Sequence, residues 1–135
     1  MLCDVAEKYY LGGDYNCAES VLLAANEVYG FGLDAENCEK LVSAFGGGLG
    51  CGRLCGAAAG AMAALGFAAV DGRAHATEGF KELCGETAQE IKEALGAMDC
   101  GVLRPKYFTA ENRCYKTVCL TADVLEKKLN ALRGA

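Results

Sequence analysis

Apolar positions recur along this chain at the three-to-four-residue step of amphipathic helix, and nowhere at the two-residue step of a half-buried strand. Leu2, Val5 and Tyr9 give a short first helix that Gly12 and Gly13 end. In the stretch NCAES, Asn16 is placed to cap a second helix, and Glu19 completes a capping box three residues on. Cys17, Val21, Ala24, Ala25 and Val28 share one face of that helix, and Gly30 and Gly32 stop it. Further helices are predicted from about Asp34 to Phe45, from about Leu54 to Val70 and from about Ala74 to Ala97. The last of these is the longest, with a stripe of Phe80, Leu83, Cys84, Thr87, Ile91 and Leu95 interrupted by Gly85. Pro105 predicts a connection from Asp99 to Phe108. Thr109 is placed to cap a final helix on which Cys114, Val118, Ala122, Leu125, Leu129 and Leu132 align. The expected fold is all-α: a compact bundle of five or six helices in one cysteine-rich domain, residues 1–135, with a glycine-rich loop leading into a buried small-residue helix.

Composition narrows the function. Hydrophobic residues make up 53% of the chain and charged residues 23%, the balance of a globule rather than a disordered segment. A net charge of −5 leaves no basic face to replace phosphate counterions, so nucleic acid is not an expected partner. The uncharged run 54–70 is mostly alanine and glycine and falls short of the roughly 20 apolar residues of a span, so membrane insertion is not expected. MLCDVAEKYY lacks a basic n-region and an apolar h-region, so the expected compartment is the cytoplasm. There the 9 cysteines, an odd number, suggest redox or metal chemistry more than stapling.

The stretch GGGLGCGRLCGAAAG carries the candidate chemistry. Gly47 and Gly52 have the spacing of a phosphate loop, but Arg53 and Leu54 stand where the lysine and hydroxyl belong, and no strand precedes them. The better reading is a mount for thiols. Gly48, Gly50, Cys51, Gly52 and Arg53 are the candidate cofactor-binding residues, because consecutive glycines can turn successive N–H groups toward an anion. Cys55 falls in the first turn of the next helix, and Cys17 follows a helix cap, so both thiols should be acidified by the positive end of a dipole. Cys100 should follow a helix, with Gly101 as its left-handed cap. That places it at a negative end, as a resolving thiol rather than an attacking one.

The order of Cys17 in YNCAESVL, CGAAAG from Cys55 to Gly60, Cys100 after IKEALGAMD and Cys114 in CYKTVCLTADVLEKKL resembles the redox-active protein family with a C…CGAxxG…C…C (C_GCAxxG_C_C) pattern. The resemblance runs from about residue 8 to 130. It implies a small helical protein in which Cys17, Cys55, Cys100 and Cys114 serve either as catalytic thiols or as ligands of an iron–sulfur cluster or zinc. Thiol–disulfide exchange, electron transfer and cluster or metal binding therefore stay open, as does a purely structural role for the cysteines. So do a cofactor-free protein, an unidentified redox partner protein and a homodimer. Cys3, Cys38, Cys51, Cys84 and Cys119 lie outside the pattern. Cys51 is the addition most able to pair with Cys55. Cys38 and Cys84 fall on apolar stripes and read as core, while Cys3 and Cys119 carry no expected role. Tyr9, Tyr10 and Tyr15 read as the edge of the core, and His75, the only histidine, as a surface or capping residue.

Overall fold

The computed structural model describes residues 1–134. They form seven α-helices and, among the described residues, no strand: α1 (Leu2–Tyr10), α2 (Cys17–Tyr29), α3 (Ala35–Val42), α4 (Gly56–Ala69), α5 (Phe80–Leu95), α6 (Cys100–Tyr107) and α7 (Tyr115–Gly134). No helix is long and apolar enough to cross a membrane.

α4 is the axis of the bundle. Ala57, Ala58, Ala59, Ala61 and Ala64 are buried on several sides of it, as suits a helix with neighbours around most of its girth. α2 lies closest to it because Gly60 has no side chain: a Cβ there would come within 2.5 Å of the Ala18 carbonyl oxygen. Gly56 plays the same part against the Phe45 carbonyl, at 2.9 Å. The glycines of CGAAAG are thus spaced to let α4 slide under α2 and the turn before it. α7 closes the other side through Val118, Ala122, Leu125 and Leu129, against α1, α4 and α5.

The predicted capping box is present in full. The Asn16 side chain accepts the Glu19 N–H at 2.8 Å, and the Glu19 carboxylate accepts the Asn16 N–H at 2.8 Å. Four expectations need correction. The helix count is seven because residues 100–107 are helical despite Pro105. A proline inside so short a helix forfeits one backbone hydrogen bond. Compensation comes from the end of α5, where the Leu95 carbonyl accepts both Lys106 Nζ (3.1 Å) and the Tyr107 hydroxyl (2.9 Å). The segment 74–97 is not one helix. A turn of 3₁₀ helix at Ala74–Ala76 is separated from α5 by Gly79 at φ 76°. Here Thr77 accepts the Asp71 N–H and donates to the Arg73 carbonyl, which favours a local turn over helix. The longest helix is therefore α7. Thr109 caps only a turn, accepting the Asn112 N–H at 3.0 Å, and α7 starts at Tyr115.

The fourth correction concerns Cys3 and Cys119. They form a disulfide that joins α1 to α7 across 116 residues of sequence. Cys38 is buried and Cys84 half-buried, each without a partner among the described residues.

Candidate functional site: four cysteines at four helix starts

The four signature cysteines share one structural position. Cys17 is the first residue of α2, behind its Asn16 cap. Cys55 is the N-cap of α4. Cys100 is the first residue of α6, behind Asp99. Cys114 immediately precedes α7, and its carbonyl accepts the Val118 N–H at 3.2 Å. Four positive helix ends therefore converge where the sulfurs are.

The dipole argument for Cys100 is overturned by this arrangement. α5 ends at Leu95 with Gly96 as its left-handed cap, at φ 92°, so Cys100 opens a helix instead of following one. Gly101 is not a left-handed cap. It sits inside α6, where a Cβ would stand 3.1 Å from the Gly52 carbonyl oxygen.

The glycine loop is the mount that joins two of the cysteines. Residues 47–50 all have positive φ, from 64° to 73°, and make one left-handed turn with Leu49 as its single non-glycine. Beyond it, residues 53–55 meet 98–100 in a short antiparallel bridge. The Cys55 N–H donates to the Met98 carbonyl at 2.7 Å, and the Cys100 N–H donates to the Arg53 carbonyl at 2.6 Å. Gly48 lies beneath Cys100, where a Cβ would approach the Cys100 Cβ at 2.5 Å. A Cβ on Gly52 would stand 3.7 Å from the Gly101 backbone. Gly50 and the side chains of Cys51 and Arg53 are exposed, and the Cys51 thiol turns back to the Gly48 carbonyl at 3.6 Å. Of the residues expected to cradle a cofactor, Gly48, Gly52 and the Arg53 backbone position Cys100, while Gly50 and Cys51 lie outside.

Cys17, Cys100 and Cys114 line a cavity of about 210 Å³ together with Tyr10, Arg104 and Arg113. Cys55 stands behind them, 3% exposed. All four thiols are free. They are also within electrostatic reach of one another in every pairing. Their sulfurs are more widely spaced than the ligands of a bound ion. Zinc–sulfur bonds of about 2.3 Å set neighbouring sulfurs roughly 3.8 Å apart. Among the described residues, no three of these sulfurs lie within 4.8 Å of one another. The one such group is Cys3, Cys119 and Asp123, whose two sulfurs are already bonded to each other.

Cys17, Cys55 and Cys114 are not acidified, contrary to the dipole expectation for Cys17 and Cys55. Burial pushes Cys17 up to about 12, reinforced by Cys114 and Cys55 and opposed by hydrogen bonding to Tyr10. Burial also raises Cys55, although the amides of Ala58 and Ala57 favour its ionised form without completing a capping hydrogen bond. Burial and then Cys100 raise Cys114, while Arg104, Tyr10 and Arg113 pull it down. Desolvation of a single charge outweighs one helix end here.

Tyr10 is the site residue that the sequence did not disclose. Its hydroxyl accepts the Cys114 N–H at 2.9 Å, and burial raises its own pKa. Arg113 holds it from behind, donating to the Tyr10 carbonyl with its guanidinium 4.4 Å from the ring centre. Its one visible sign is chemical: a tyrosine on a buried helix face needs a hydroxyl partner. His75 stands apart, beside a surface groove that includes Cys84 and none of the four signature thiols.

Fold and site together define a small helical protein built round four converging cysteines. The chain belongs to the family described as "Putative redox-active protein (C_GCAxxG_C_C)", whose model matches residues 15–128. Searches of curated proteins and of solved structures give no match.

Proposed function

We propose that Cys17, Cys55, Cys100 and Cys114 ligate an iron–sulfur cluster and that the protein is a one-electron carrier. The observation that carries this reading is the donor set: four free thiols from four helix starts, mutually in electrostatic reach yet too dispersed for a single ion. A cluster takes four cysteine thiolates spread over several irons, and when bound it supplies one-electron redox chemistry.

The chain's own residues suit that charge. Four thiolates are costly in a buried site, and metal ligation is what keeps such thiols deprotonated. The four helix starts, Arg104 and Arg113 offset the negative charge. The Tyr10 hydroxyl favours the ionised forms of Cys17 and Cys114. Hydrogen bonds and charge at the sulfurs are levers on the potential of such a centre.

A second reading is supported by the cavity, through which Cys17, Cys100 and Cys114 can be reached. In thiol–disulfide exchange one of these would attack as thiolate and another would resolve the mixed disulfide. The raised pKa values of Cys17 and Cys114 make that attack slow at neutral pH.

The test is an absorption spectrum with iron, sulfide and zinc analysis on protein purified without oxygen. Broad visible absorption with stoichiometric iron and sulfide is the expected result. A colourless, metal-free protein that reversibly loses two thiols on oxidation would transfer the assignment to dithiol chemistry. Zinc alone would overturn both.

A further inference from the structure

We propose that the outer groove of α6 is the docking site of an acidic electron-carrier protein. This rests on the reading of the four cysteines as a redox centre and names the kind of partner that centre serves. The groove, about 420 Å³, is formed by Gly101, Arg104, Pro105 and Phe108. Arg104 and Phe108 also line the thiol cavity, with the guanidinium 4.6 Å from the ring centre. That stacked pair borders both the groove and the thiol cavity, so a partner in the groove sits beside the redox centre.

Among the described residues, four of the seven exposed large apolar side chains lie on the segments that form or adjoin the groove. Val102 is 57% exposed, Leu49 46%, Phe108 40% and Leu54 38%. These come from α6 and the glycine loop, which are joined through the Gly52–Gly101 contact and the bridge at Arg53 and Cys100. Exposed large apolar side chains gathered in adjoining segments mark an interaction surface.

Charge selects the partner. The chain carries −5 overall, yet residues 41–70 hold Arg53 as their sole charged side chain, and residues 99–110 hold Arg104 and Lys106 against Asp99 alone. Among the described residues neither Arg53 nor Arg104 lies within ion-pair distance of a carboxylate, so both guanidiniums are available to a partner. An apolar patch flanked by the Arg53 and Arg104 guanidiniums, with Asp99 as its nearest carboxylate, offers an acidic partner two cations to meet. The exchange moves one electron, the partner being oxidised as the centre is reduced or the reverse, with no bond made or broken. Electron-transfer contacts of this kind are small and short-lived.

The test uses two carriers of opposite charge as probes, an acidic flavodoxin and a basic cytochrome c. Their binding to the immobilised protein is measured by interferometry at low and at moderate salt. Flavodoxin should bind more tightly than cytochrome c, and salt should weaken it. Arg104→Glu and Arg53→Glu should each weaken it about tenfold, while Lys81→Glu on α5 should leave it unchanged. Equal or reversed preference for the two carriers overturns the proposal, as does an effect of Arg104→Glu no larger than that of Lys81→Glu. Binding does not require the centre to be loaded. Retained, charge-dependent binding by a colourless, redox-silent sample would therefore overturn the redox reading and leave the docking surface standing.

Discussion

The hydroxyl of Tyr10, at the end of α1, accepts the backbone N–H of Cys114, 104 residues away, at 2.9 Å. One atom thereby ties α1 to the rim of the cavity and sets the position of a signature cysteine. Tyr10→Phe keeps the ring under Arg113 but leaves that N–H without its acceptor. The expected cost is about 1–3 kcal/mol in urea unfolding. The hydroxyl also favours ionised Cys17 and Cys114, so the alkylation profile of both should move to higher pH. An unchanged profile with reduced stability would leave Tyr10 as a structural residue only.

Gly47 and Gly48 separate backbone strain from contact with the site. Both have positive φ, at 65° and 64°. A Cβ on Gly47 meets nothing within 4 Å, whereas one on Gly48 meets Cys100 Cβ at 2.5 Å. Each alanine variant should lose about 1–2 kcal/mol from the left-handed conformation. Only Gly48→Ala should also displace Cys100, seen as lost iron or as altered Cys100 alkylation in the folded protein. Equal effects of the two substitutions on the site would mean that the loop does not position Cys100 through this contact.

The legibility of this chain follows from the range of the forces involved. Local signals were readable: Asn16 and Glu19 are three residues apart, and the small residues facing Ala18 lie in one short motif. Helix within 100–107 was hidden because Pro105 argues against it locally, and the compensating anchor is the Leu95 carbonyl. The sign of the thiol shifts is hidden from the sequence for a related reason. A helix start is visible in sequence, but the burial that outweighs it at Cys17 and Cys55 comes from elements brought together by folding. The Cys3–Cys119 bond and the role of Tyr10 depend on α1 lying along α7, which no local pattern encodes.

Stability of the metal-free protein should fall at alkaline pH because of Cys17. Its folded pKa is raised from 9.0 to about 12. Below pH 9 both folded and unfolded chains hold the proton, and the contribution is fully present. Between pH 9 and about 12 the unfolded chain releases its proton while the folded chain keeps it, so stability is lost as pH rises. The full loss is on the order of 4 kcal/mol. Urea midpoints from pH 8 to 11 should decline more steeply in the parent than in Cys17→Ser. Parallel declines would show that Cys17 is not the group responsible.

The bond between Cys3 and Cys119 should act on α1 and leave the four-cysteine site unchanged. Unfolded, unreduced protein should titrate with 7 free thiols. Cys119→Ser removes a cross-link closing nearly the whole chain, a loss of about 2–4 kcal/mol. α1 is held besides by the buried Leu2 and Ala6 and by the Tyr10 contact, so the helix should stay docked but open more often. Hydrogen exchange of its amides should quicken, while α4 amides, in the centre of the bundle, should slow or quicken only with global stability. Neither Cys3 nor Cys119 borders the thiol cavity, so iron content and the visible spectrum should be those of the parent. A titration of nine thiols would rule out the bond. Loss of iron in Cys119→Ser at unchanged α4 exchange would mean that the bond is coupled to the centre, with α1 and Tyr10 as the connection.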